Sequence, residues 1–127
     1  MGVIVKNKVA YGGTNFLDIL SLITPMNSVI LYNGWCSANI LGEKEVILNL
    51  LISEIGLTET GEKEILTIPS QYTPSRNIRI SAVFLGGSGE EAGYGHIDIQ
   101  SNGIVKINCT KYLRTVNWAH VNVTYLI

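Results

Sequence analysis

The sequence predicts an all-β protein: an antiparallel β-sandwich, jelly-roll-like in its order, with one short N-terminal helix. Three observations predict it. From Glu64 onward, short runs of apolar and β-branched residues recur at near-regular spacing, separated by Gly, Asn and Pro. That rhythm marks sandwiches and barrels. Several runs alternate between apolar and polar residues, the period of a strand with one buried face. Helix-period spacing is convincing only between Phe16 and Ile23.

Taken in order, Val3-Ile4-Val5-Lys6 and Lys8-Val9-Ala10-Tyr11 read as short strands or an extended arm, broken by Gly12-Gly13. Thr14 or Asn15 caps the expected helix, which places Phe16, Ile19, Leu20 and Ile23 on one stripe and ends before Pro25. Residues 1–27 form the expected arm or tether, and residues 28–127 the expected head domain. Ser28 to Asn39 reads as one strand, with Val29, Leu31, Asn33 and Trp35 on one face and Ile30, Tyr32 and Gly34 on the other. After a turn at Gly42-Glu43, Glu45 to Ser53 sets Val46, Leu48, Leu50 and Ile52 against Ile47, Asn49 and Leu51. A strand apolar on both faces is buried on both. The second cover is either another subunit or the Phe16 to Ile23 helix.

Ile65-Leu66-Thr67-Ile68 is a strand that runs into Pro69. The segment Pro69 to Pro74 reads as an extended corner, because residues before proline are pushed out of the helical region. Asn77 to Leu85 alternates Ile78, Ile80, Ala82 and Phe84 with Arg79, Ser81 and Val83. The glycine-rich stretch Gly86 to Gly93 is the expected mobile tip. It has neither a lysine nor the spacing of a phosphate-binding loop. Gly95 to Cys109 reads as a hairpin turning at Ser101-Asn102-Gly103, since Asn-Gly tolerates the positive φ of tight turns. The last strand, within Val116 to Ile127, sends Ala119, Val121, Val123, Tyr125 and Ile127 one way and Trp118, His120, Asn122 and Thr124 the other.

Composition narrows the function classes. At 127 residues the chain is one domain in size. A net charge of −1 with scattered basic residues gives no electrostatic footprint for nucleic acid. Charged residues make up 15%, against roughly 25% in typical soluble domains, and mean hydropathy is +0.27. Low charge with high apolarity points to a surface that meets a partner; the alternative is simply a Val/Ile/Leu-rich β core. No apolar run approaches the ~20 residues of a membrane span, and Met1-Gly2-Val3-Ile4-Val5-Lys6 lacks the order of a signal peptide. Cys36 and Cys109 are therefore read as reduced, buried thiols.

The residues assign no catalytic group, metal or cofactor. His96 and Asp98 share a strand face, but no serine or cysteine nucleophile stands near them in sequence. Glu43, Glu45, Glu90 and Glu91 lie in loops or at strand ends, where nothing fixes a carboxylate separation. The chain is therefore read as no enzyme. Aromatic residues carry the remaining chemistry. An exposed ring stacks on the apolar face of a sugar while nearby Asn, Asp and His bond its hydroxyls. Trp118 with His120 and Asn122 has that character, as does Tyr94 with His96 and Asp98. The alternative is that Trp118 is buried, as large aromatics often are. Ile47, Leu51 and Trp35 are the candidates for a subunit interface.

The run Leu66-Thr67-Ile68-Pro69-Ser70-Gln71-Tyr72-Thr73-Pro74-Ser75 resembles a pattern recurrent in bacteriophage tail proteins. There a strand ends in a corner of leucine, proline, two residues, tyrosine, one residue and proline. A strand like Ile78 to Phe84, a hairpin like His96 to Val105 and a terminal strand with Trp and Tyr follow. Over roughly residues 44–127 the chain is similar to the C-terminal head of phage tail-fibre or receptor-binding proteins. Ile68 stands where leucine is commoner, and only about 43 residues precede the match instead of a long shaft.

The resemblance implies a sandwich head that forms a homotrimer, contacts other tail or baseplate proteins and binds bacterial surface saccharide without catalysis. It implies a place in the virion, after synthesis in the host cytoplasm. It transfers no binding residues, because these vary in position across the family. A purely structural baseplate or decoration protein and a stand-alone carbohydrate-binding module are the competing readings.

Overall fold

The computed structural model describes residues 4–5, 8–11, 14–32 and 34–127, with side chains from Phe16 onward, Asn33 excepted. The break expected at Gly12-Gly13 lies outside the described residues. Two antiparallel sheets pack face to face as a sandwich. The first contains β1 (Ile4–Val5), β2 (Lys8–Tyr11), β3 (Thr14–Asp18), β5 (Ile30–Leu31), β6 (Ser37–Leu41), β7 (Glu45–Ser53) and β12 (Ala119–Leu126). Its order is β1-β2-β3-β6-β7-β12, with β5 also paired to β7. The second contains β4 (Thr24–Pro25), β8 (Gly61–Thr67), β9 (Ile78–Leu85), β10 (Glu91–Ile99) and β11 (Ile104–Tyr112), in the order β4-β8-β11-β10-β9. The connection from β8 crosses to β9, and the hairpin-linked strands β9, β10 and β11 then bring β11 back beside β8, forming a Greek key.

The core is built from the alternation seen in the sequence. Val46, Leu48, Leu50 and Ile52 of β7 and Ala119 and Val121 of β12 are buried from one side. Ile65, Leu66, Phe84, Ile97, Ile99, Val105 and Ile107 meet them from the other. Tyr125 adds a polar tie across the sandwich, its hydroxyl donating to the Tyr72 carbonyl at 2.5 Å. Burial pushes that hydroxyl's pKa well up.

Three expectations are corrected. The N-terminal helix is absent: Thr14–Asp18 is strand β3, paired with β2 and β6, and only Leu20–Leu22 winds into a 3-10 turn. That single turn explains the misleading spacing, since Ile19 and Ile23 are buried on either side of it as the chain crosses from β3 to β4. Ser28 to Asn39 is not one strand. Gly34, at φ 87°, turns the chain between β5 and β6, which pair successive halves of β7. The Pro69 to Pro74 corner is extended only at its ends; Ser70–Tyr72 between them is a 3-10 turn. The hairpin turning at Ser101-Asn102-Gly103 forms as expected between β10 and β11, a three-residue loop closed by Gly103 in the left-handed region at φ 92°. A Cβ on Gly103 would stand 2.4 Å from the Ile68 carbonyl oxygen.

Both cysteines are free thiols. Cys109 is buried, and burial raises its pKa. Cys36 is only half-buried: it follows the turn at Gly34, packs at the margin of the core and exchanges contacts with the Leu51 backbone on β7 through its thiol. No helix among the described residues is long and apolar enough to cross a membrane.

Candidate functional site

The outer face of the first sheet gathers most of the sequence-derived candidates. Even-numbered residues of β12 and odd-numbered residues of β7 point outward because their neighbours fill the core. Cross-strand register then sets His120 opposite Leu51, Asn122 opposite Asn49 and Thr124 opposite Ile47. Ile47 and Leu51, expected at an interface, thus share one face with Trp118, His120 and Asn122, expected at a ligand. With no helix above it, the second apolar face of β7 has no cover among the described residues.

Trp118 is half-buried, and what supports it was not legible locally. Its ring meets Tyr32 edge to face, with centroids 5.1 Å apart and planes at 72°. Such pairs hold aromatic rings in fixed orientation. A shallow cleft of about 340 Å³ lies beside it, lined by Leu51, Leu85, Trp118, His120 and the tip Gly87-Ser88-Gly89. That tip is a short hairpin loop closed on itself: the Gly86 amide donates to the Glu90 carbonyl at 2.7 Å and the Ser88 amide to the Glu90 carboxylate at 3.1 Å. Trp35 lies in the same turn as Tyr32, its amide donating to the Tyr32 carbonyl at 3.1 Å, and its side chain is 69% exposed. Asn122 lines a neighbouring groove of about 380 Å³ with Ile47, Asn49 and Thr124.

The other candidates, Tyr94, His96 and Asp98, lie on the outer face of the second sheet, across the sandwich. The Asp98 carboxylate and the Tyr94 hydroxyl are engaged within the protein. Asp98 accepts two hydrogen bonds from Arg79 on β9, at 2.8 and 3.1 Å. The guanidinium holds the Asp98 carboxyl below its ordinary pKa, against the opposing effect of burial. His96 Nε2 stands 3.9 Å from Asp98 and has no hydrogen-bond partner. The Tyr94 hydroxyl donates to the Glu91 carboxylate, which raises the Tyr94 pKa. Lys111 lies 5.9 Å from the Tyr94 ring centre, and Lys106 pairs with Glu62 at 3.0 Å. This face is a cross-strand network of opposite charges.

Sequence reasoning missed Tyr32, Leu85 and the glycine tip as neighbours of Trp118. It also missed Arg79 as the partner of Asp98. The signal for Arg79 was present: it alternates outward on a strand facing Asp98, and β10 follows β9 directly. Tyr32 had no such signal, being 86 positions from Trp118. No protein-family model matches the sequence, and no curated protein matches it.

Proposed function

We propose that this chain is a non-catalytic, saccharide-binding head of a bacteriophage or prophage tail protein, acting in the virion at the host surface. The observation that carries the reading is the Trp118–Tyr32 pair on an uncharged sheet face, beside His120 and Asn122. A ring held edge-on by a second ring offers a fixed apolar platform for the C–H face of a pyranose. The imidazole and amide alongside supply donors and acceptors for its hydroxyls. The cleft is shallow and open, which favours weak contacts. Weak sites become effective when several copies engage one surface, because linked sites gain avidity without new contacts. The sandwich architecture agrees with what the phage-head resemblance implies.

Titration with purified lipopolysaccharide O-chains and capsular oligosaccharides, read by tryptophan fluorescence, tests the proposal. At least one should bind, and Trp118→Ala should weaken it by tenfold or more, about 1.4 kcal/mol, while the β-sheet circular dichroism persists. Binding unchanged by Trp118→Ala would place the site elsewhere.

A structural role in the baseplate is the second reading. Ile47 and Leu51 favour it, since an apolar strip on an exterior sheet face also suits docking to a neighbouring protein. It predicts binding to none of these saccharides.

A further inference from the structure

We infer that the free edge of β12 pairs antiparallel with β12 of a second copy of this chain, joining two first sheets into one continuous sheet about a two-fold axis at Val123. Backbone geometry identifies the edge. The Leu51 carbonyl accepts from the Tyr32 amide at 2.9 Å, and the Leu51 amide lies 3.3 Å from Cys36 Sγ, so both Leu51 groups point away from β12. By alternation, Ile52 and Leu50 bond β12 through their partners Ala119 and Val121. The amides and carbonyls of His120, Asn122, Thr124 and Leu126 therefore point off the sheet, where no described strand pairs them.

The same edge already makes this kind of bond one step earlier. Trp118, in phase with those four residues, exchanges two hydrogen bonds with Leu85, at 2.9 and 3.0 Å. Beyond Leu85 no bridge joins β9 to β12, and the ladder stops with the edge still available.

The edge carries none of the features that keep strands apart. Proteins guard exposed edges with lysine, proline, bulges or very short strands. The edge strand β4 has Pro25, and the edge strand β9 has Arg79. From Thr115 to Ile127 there is no Asp, Glu, Lys, Arg or Pro, and the β7 register runs from Ala119 to Leu126 without a shift. A second copy suits this edge because nothing on it repels itself. Centring the two-fold axis on Val123 opposes His120 with Leu126 and Asn122 with Thr124, so all four outward residues of each copy find a partner.

The pairing does not depend on saccharide binding, but it bears on it. Opposed residues in a sheet point their side chains to the same side, so the two Trp118 platforms would face one direction. They would be separated by ten residue steps along the strand, about 34 Å at 3.4 Å per residue.

Light scattering on size-exclusion fractions, without ligand, tests it. The wild-type chain should run at twice 13.9 kDa and dissociate on dilution. Thr124→Lys and Thr124→Pro should each halve that mass with the β-sheet signal intact, since the Thr124 amide faces away from β7 and proline is tolerated there. Amide exchange provides a readout without any variant: His120, Asn122, Thr124 and Leu126 amides should be protected in concentrated samples and lose protection on dilution. A mass of one copy with those amides exchanging freely would overturn the inference. So would the three-copy mass that the phage-head resemblance implies, which a two-fold pairing of β12 does not give, or an assembly that both folded variants leave intact.

Discussion

The two outer faces of this sandwich are made by the same strand period and have opposite characters. On the second sheet, Arg79 pairs with Asp98 and Lys106 with Glu62 across neighbouring strands, and Tyr94 bonds Glu91 within β10. On the first sheet, the centre of the face carries Ser37, Asn39, Ile47, Asn49, Leu51, His120, Asn122 and Thr124, with no Asp, Glu, Lys or Arg. A face whose charges are paired internally has little left to offer a ligand. A neutral face with half-exposed aliphatic and aromatic groups keeps its apolar area and its amide and imidazole groups for something outside the chain. Low overall charge is thus not spread evenly: it is concentrated on one face.

The largest test asks whether the two faces rest on one core. Phe84 is fully buried between the sheets. Phe84→Ala should cost about 3–5 kcal/mol and lower both faces together. Separate melting of Trp118 fluorescence and of the His96 NMR signal would show two weakly coupled layers instead.

A smaller effect separates the faces. Asp98→Asn should cost roughly 1 kcal/mol, as expected for a partly exposed charge-assisted pair. Its sign with pH follows from the depressed native pKa. The carboxylate stabilises the fold above its ordinary value of 3.8 and loses that contribution as pH falls from there through the lower native value. Acid unfolding curves of wild type and Asp98→Asn should therefore converge at low pH. Curves that stay parallel would mean the Arg79 pair contributes nothing.

The smallest expected effect on stability belongs to the neutral face. Trp35 is exposed, and Trp35→Ala should stay within about 0.5 kcal/mol of wild type in thermal melts. A large loss of stability would show that Trp35 packs within the fold and is not free for a subunit interface.

Most of the sandwich was legible because one-sided burial writes period two into the chain. β7 matches its expected bounds, β9 begins one residue late, and the two expected faces of β12 separate, with Ala119, Val121 and Tyr125 buried and His120, Asn122 and Thr124 exposed. Failures fell where a local pattern competed with long-range pairing. Phe16, Ile19, Leu20 and Ile23 have helical spacing, yet β3 gains a ladder with β6, which no local signal announces. The Ser28 to Asn39 run alternates well, but Gly34 breaks it where β5 gives way to β6 along β7. At the candidate site, the outward face of β12 was legible from its alternation. The Tyr32 contact was not, because only the assembled sheet brings residues 32 and 118 together.

The central claim is that recognition belongs to the first sheet's neutral face. Its most direct test is residue-resolved NMR of the chain titrated with a binding O-chain or capsular oligosaccharide. The account predicts shifts at the Trp118 indole, His120 and Tyr32, with Arg79, His96 and Tyr94 unmoved. Shifts centred on Arg79, His96 and Tyr94, with the Trp118 indole unmoved, would contradict it.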